Sequence, residues 1–175
     1  EEYEVPIRIL DIGGGFPVDY DHSNDIDIQS FCAPIRAALA KLPEHVEVIA
    51  EPGRFLIAPA AASITTVAGK ALRGDQPWYY LDDGVYGMFS GRIYDHARYP
   101  LHVFRSGPTR PSALVGPTCD SIDVIEEAIE LPELEVGDLV IGRMMGAYTA
   151  ATASTFNSLP IPRIVVFGEP TRSPS

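Results

Sequence analysis

The sequence predicts a chain of two characters, α/β as far as about residue 59 and all-β from residue 60 to residue 175. Three observations predict it. An apolar run, an amphipathic repeat and a second apolar run follow one another before Pro59. Short β-type runs punctuated by glycine and proline follow it. Finally, 175 residues at 46% hydrophobic content suffice for one ordinary core but not for two large domains. No internal repeat or low-complexity tract interrupts either part.

Ile7 to Ile12 is apolar and ends in glycines, the pattern of a strand buried on both faces. Ile28, Phe31, Ile35, Leu39 and Leu42 then recur at steps of three or four. With Asp25 or Asp27 available as the N-cap and Pro43 just past the end, this stretch is expected to be an amphipathic helix. Val46 to Ala50 reads as a second buried strand. Strand, helix and strand make a βαβ unit, whose two strands are expected to run parallel. Beyond Pro59 the expected strands include Ser63 to Val67, Trp78 to Leu81, Leu101 to Phe104, Leu139 to Ile141 and Ile164 to Phe167, arranged as a barrel or a sandwich.

Charge narrows the function classes. Thirteen basic against 24 acidic residues give a net charge of -11, which repels a phosphate backbone and argues against a nucleic-acid partner. No apolar run approaches a membrane span, and Glu1, Glu2, Tyr3 and Glu4 do not resemble a signal peptide, so no membrane partner is expected. Two cysteines, Cys32 and Cys119, suit a reducing compartment and a cytoplasmic location. His22, His45, His96 and His102 show no metal-ligand spacing, and HExxH, paired CxxC and GxSxG are all missing. Neither a metal site nor serine hydrolysis is expected.

Two motifs carry the first chemical argument. Asp11-Ile12-Gly13-Gly14-Gly15-Phe16-Pro17 follows the first expected strand, and Glu51-Pro52-Gly53-Arg54 follows the second. Both are therefore expected at carboxyl ends of parallel strands, where α/β folds bind ligands. Consecutive glycines let backbone N–H groups approach an anion, and a guanidinium at a neighbouring strand end can pair with the same phosphate. A dinucleotide is disfavoured, because the third glycine of that fingerprint would fall at Val18. A glycine triplet alone is as readily a tight turn, and Glu51 beside Arg54 as readily a structural ion pair. On the functional reading, the Glu51 carboxylate accepts a hydrogen bond from a protonated ring nitrogen.

The strings LDIGGGFP, EPGR, DDGVYGMFSGRIYDHA, GPTCDSIDVI and GAYTAATASTFN resemble, in this order and spacing, ornithine decarboxylase and its lysine, arginine and diaminopimelate relatives. The resemblance spans nearly the whole chain. It implies a pyridoxal 5'-phosphate (PLP) enzyme in which residues 1–59 are the end of a PLP-binding (β/α)8 barrel and residues 60–175 a C-terminal β domain. It also implies a homodimer with active sites shared between subunits. The implied substrate is a basic amino acid, with L-ornithine, giving putrescine, expected first and lysine the closest competitor. A non-catalytic binding protein of the same fold, as antizyme inhibitors are, is the alternative of a different class.

By the same resemblance, Gly13, Gly14 and Gly15 form a phosphate loop, Arg54 and Tyr148 contact the phosphate, and Glu51 partners the pyridine nitrogen. Cys119 matches the catalytic cysteine, and Asp95 and Asp120 match acids that receive the distal ammonium of the substrate. These roles make chemical sense. Loss of CO₂ leaves Cα to be protonated, which a thiol can do, and a buried ammonium without a partner would be costly. Without the resemblance, Cys119 would be an inert small residue, and Tyr94, Tyr148 and Phe156 core or interface aromatics. Asp82-Asp83-Gly84 reads only as a turn. PLP enzymes of this kind hold the cofactor on a lysine, yet the chain contains only Lys41 and Lys70, neither at an expected strand end. The chain is therefore expected to be a fragment lacking an N-terminal barrel segment and that lysine, and to be inactive alone.

Overall fold

The computed structural model describes residues 6–20 and 26–168. Its first part is a β1(Ile9–Asp11)–α1(Ile28–Leu39)–β2(Glu47–Ile49) unit. The strands are parallel, as expected, with Leu10 opposite Val48 and Asp11 opposite Ile49. Asp27 caps α1, its carboxylate accepting from the backbone N–H groups of Gln29 at 2.9 Å and Ser30 at 3.2 Å. The other expected cap, Asp25, lies outside the described residues. The helix stops at Leu39, earlier than the repeat suggests, and Leu42 falls in the following turn ahead of Pro43.

The rest is built on one six-stranded sheet, in the order β5(Leu101–Val103), β8(Leu139–Gly142), β3(Ser63–Arg73), β4(Gln76–Leu81), β6(Arg110–Val115), β7(Val124–Leu131). The expected barrel or sandwich is instead a curled half-barrel, open at the edge strands β5 and β7 among the described residues. The long strand β3 explains much of the curl. Its first half pairs with β8 and its second half with β4, and a bulge between Val67 and Gly69 marks the change of partner. The pair β4 and β6 is parallel, while the other neighbours are antiparallel.

Alternation along β4 buries Tyr79 and Leu81 and leaves Trp78 and Tyr80 partly exposed. With Val67, Phe89, Leu114, Ile125, Leu134, Val140 and Met145 they form the core. The Tyr79 hydroxyl accepts from the Leu134 N–H at 3.1 Å, so its polar end is satisfied inside. Two strands escaped the sequence reading, and one expected strand does not form. Arg110-Pro111 opens β6, and three glutamates interrupt β7, both compositions poor in strand signal. Ile164 to Phe167 has strand composition but no paired neighbour among the described residues, and Val166 and Phe167 are almost fully exposed.

Among the described residues, the βαβ unit has no buried core of its own. No residue of α1 is buried, and Ile7, Ile9, Leu56 and Ile57 are each more than half exposed. Such a face is normally covered by further chain. The half-barrel carries the folding stability, which gives a direct check. Leu114→Ala should destabilise the protein by about 2–5 kcal/mol in denaturant unfolding, whereas Leu72→Ala, on an exposed β3 position, should stay within about 0.5 kcal/mol.

Candidate functional site

A cavity of about 440 Å³ opens where the βαβ unit meets the half-barrel, lined by Gly14, Gly15, Phe16, Glu51, Pro52, Gly53, Arg54, Tyr94, Asp95, Tyr148 and Thr152. Its floor is the pair of loops that follow β1 and β2. The Asp11 carboxylate accepts from the Gly13 N–H at 2.8 Å, and the Glu51 N–H donates to the Gly13 carbonyl at 2.8 Å. Gly13 therefore ties the loops together and does not itself line the cavity. At Gly14 a Cβ would sit 2.9 Å from the Glu51 carbonyl oxygen, so this crossing of loops requires glycine.

Arg54, in the first turn of α2(Gly53–Ile57), is the cation of the cavity. One terminal nitrogen donates to Asp95 Oδ2 at 2.5 Å and the other to the Tyr20 hydroxyl at 3.2 Å, and the guanidinium lies 5.1 Å from the centre of the Tyr148 ring. Burial opposes its charge, but the Asp95 hydrogen bond, with Tyr20 and the Asp95 charge, outweighs that and holds its pKa above the usual value.

Asp95 follows α3(Gly91–Tyr94), which Arg92 clamps by donating to the Ala97 carbonyl at 3.1 Å and pairing with Glu126 of β7 at 3.3 Å. Tyr148 adopts a left-handed φ of 54°, and its carbonyl accepts from the Ser90 and Thr152 hydroxyls. The loop that carries it docks through Gly146, whose N–H donates to the Ala58 carbonyl at 2.9 Å.

Cys119 and Asp120 do not line this cavity. They belong to a second cluster on the half-barrel, where the Tyr86 hydroxyl donates to Asp120 Oδ2 at 2.5 Å. The Tyr86 ring stacks on Phe156 with centroids 4.3 Å apart, and the neighbouring Asn157 side-chain amide donates to Cys119 Sγ at 3.4 Å. The five residues close a ring. Behind it, the buried Asp123 carboxylate accepts from the Val85 N–H, the Thr118 N–H and the Thr118 hydroxyl, fixing one turn against the other.

Sequence reasoning thus found the six residues Gly14, Gly15, Glu51, Arg54, Asp95 and Tyr148 that the structure gathers in one place. It missed Tyr86, Asp123, Thr152 and Asn157, whose roles arise from contacts across 34 to 62 residues. Of the two default readings of Tyr94, Tyr148 and Phe156, core or interface aromatics, burial in the core fails, because they are 70%, 54% and 39% exposed. Asp82 and Asp83 also do more than mark a turn. Asp82 accepts from the Thr66 N–H, and Asp83 accepts from the Gly84 and Met88 N–H groups. Neither lysine lines the cavity: Lys70 pairs with Glu135 at 2.7 Å, and Lys41 lies in the turn after α1.

The chain matches the family described as pyridoxal-dependent decarboxylase, C-terminal sheet domain, over residues 20–146. It is 41% identical over 167 residues to the lysine/ornithine decarboxylase of Selenomonas ruminantium, a match covering 95% of this chain and 42% of that protein. Antizyme inhibitor 2 of Xenopus laevis is 39% identical over 175 residues, covering 89% of this chain and 38% of that protein. The crystal structure of lysine/ornithine decarboxylase from Vibrio vulnificus complexed with cadaverine matches with a TM-score of 0.86 and 56% identity, over 93% of this chain and 44% of that one. The chain therefore spans about two fifths of the length of the relatives it matches.

The short Tyr86–Asp120 bond has a pH signature. The bond to Asp120 pushes the Tyr86 phenol up to about 12, and the Tyr86 hydroxyl holds the Asp120 carboxyl below its usual range. The raised phenol contributes stability that is complete below pH 10.0 and is lost as pH rises toward about 12. The lowered carboxyl contributes stability present above pH 3.8 and lost as pH falls through its depressed value. Spectrophotometric tyrosine titration should show late titration from Tyr86 and from Tyr99, whose burial also pushes its phenol up to about 12. The Tyr86 share should move back toward 10.0 in Asp120→Asn and be lost in Tyr86→Phe, while the Tyr99 share stays.

Proposed function

The chain belongs to the pyridoxal-dependent ornithine, diaminopimelate and arginine decarboxylase family, as its C-terminal sheet domain, and from that premise we propose that the full-length protein decarboxylates a basic amino acid. L-Ornithine, giving putrescine, is the first substrate to test, with L-lysine beside it. The observation that carries the reading is the cavity in which three glycines, an arginine, a glutamate and an aspartate converge. PLP fits this set of groups. The crossing at Gly14 leaves no room for a side chain beside the loop, and Arg54 provides a cation at the neighbouring strand end.

In this proposal Gly13, Gly14 and Gly15 supply the phosphate loop, with Arg54 and Tyr148 as further phosphate contacts. Glu51 accepts the pyridinium N–H. Bound PLP supplies an electron-poor ring that takes up the electron pair left when CO₂ departs. Cys119 holds the proton that Cα then receives. Asp95 and Asp120 bind the distal ammonium and thereby measure side-chain length, although one methylene is worth only about 1–3 kcal/mol of discrimination.

Because Cys119 and Asp120 lie outside the cavity, we assign them to the cavity of a second copy in a homodimer with shared sites. The boundary between barrel end and β domain is set at residues 59 and 60. The cofactor lysine and the remaining barrel strands are assigned to an upstream segment of the full-length protein. The 39% identity to an antizyme inhibitor keeps a non-catalytic binding protein as the second reading. Against it stands the complete set of Glu51, Arg54, Cys119, Asp120 and Tyr148, for which a pure binder has no chemical use.

Full-length protein with PLP should release CO₂ from L-ornithine or L-lysine, and Cys119→Ala should slow amine formation by roughly 10²–10⁴ with little change in PLP binding. Amine formation at the parental rate in that variant would remove Cys119 from proton transfer, and no turnover by the parent would favour the binding protein. Lys41→Arg and Lys70→Arg should each leave the absorbance of attached cofactor unchanged. Loss of that absorbance in either variant would overturn the assignment of the lysine to an upstream segment.

A further inference from the structure

Arg54 and Asp95 are each claimed twice. In the structure they claim each other, through the 2.5 Å bond between the guanidinium and Oδ2. In the reading proposed above, on which this inference rests, the same guanidinium faces the cofactor phosphate and the same carboxylate faces the distal ammonium of the substrate. A carboxylate paired with Arg54 is an internal competitor for any anion entering between Gly14 and Arg54. The guanidinium is equally a competitor for any cation approaching Asp95.

We propose that the Arg54–Asp95 ion pair couples the two binding events, so that an anion at the glycine loop releases Asp95 for a cationic amine and a cationic amine at Asp95 releases Arg54 for the anion. Three features suit the pair to that exchange. It is solvent-accessible, with side chains 25% and 36% exposed, so separating it does not strand a charge in an apolar interior. Arg54 keeps a place in the cavity without Asp95, because the Tyr20 hydroxyl and the Tyr148 ring hold it from other sides. Asp95 is likewise anchored independently, since its segment is fixed by Arg92 through the Ala97 carbonyl and Glu126. The carboxylate and the guanidinium are therefore separately mounted on the half-barrel and on α2, and only the bond between them is exchanged. Coupling of this kind is reciprocal: the factor by which the amine tightens the anion equals the factor by which the anion tightens the amine.

The test uses cofactor-free full-length protein, inorganic phosphate as the anion and cadaverine as the cation, with phosphate affinity read by calorimetry. Saturating cadaverine should tighten phosphate about 5-fold or more in the parent. In Asp95→Asn, phosphate should bind tighter than in the parent without any amine, and cadaverine should add nothing. Asp95→Glu, which keeps the charge, should retain the coupling. Equal phosphate affinity for parent and Asp95→Asn, or an amine-dependent gain that survives in Asp95→Asn, would overturn the proposal. A parent that binds PLP but shows no coupling overturns this inference alone. A parent that takes up neither PLP nor phosphate overturns the functional reading and this inference with it.

Discussion

A Cβ on Gly146 would lie 1.8 Å from the Ile57 carbonyl oxygen, so the loop after β8 reaches the end of α2 only because that residue has no side chain. The N–H groups of Met145 and Gly146 then bond the carbonyls of Ala61 and Ala58. The placement of Tyr148 in the cavity depends on this docking. Two residues further on, Tyr148 lies over Arg54 in a left-handed conformation that a bulky residue adopts only where its surroundings demand it. Those surroundings are the Ser90 and Thr152 hydroxyls, which bond its carbonyl. The half-barrel thus delivers an aromatic ring and a carboxylate to a strand end it does not own.

The connection between β4 and β5 serves both clusters. Near its start, Tyr86 bonds Asp120, while after α3 Asp95 bonds Arg54. Each end is anchored by a charged group working inside the protein. Asp123 holds the first by accepting from the Val85 N–H while its other oxygen accepts from the Thr118 N–H and hydroxyl, and Arg92 holds the second through Glu126 and the Ala97 carbonyl. A buried carboxylate is tolerable only when its lone pairs are satisfied, and Asp123 meets that condition. The same satisfaction makes its turns rigid, which keeps Cys119 and Asp120 beside Tyr86.

Stability and chemistry are unevenly shared between the two parts. The buried side chains of the core belong to the half-barrel and its connections, whereas the βαβ unit offers cavity residues and an open apolar face. Short-range devices hold that unit's form: the Asp27 cap, the paired strands and the crossing of its two loops at Gly14. The hydrophobic term, which depends on area removed from water, contributes little there within the described residues.

Local pattern was enough for the βαβ unit, because a period of three to four residues, an N-cap and two apolar runs are short-range signals. It was also enough for β3, β4, β5 and β8. The motifs themselves singled out Gly14, Gly15, Glu51 and Arg54, since glycines and charges at strand ends are legible without a partner. Tertiary structure decided the rest. Whether Ile164 to Phe167 forms a strand depends on a neighbour to pair with, and β6 and β7 form despite their proline and glutamates because they have one another. That Asp95 meets Arg54 across 41 residues, while Asp120 meets Tyr86 across 34, cannot be read from spacing. Hydrogen bonds and ion pairs act over a few ångströms of space, and only the folded sheet sets which distant residues come within that range.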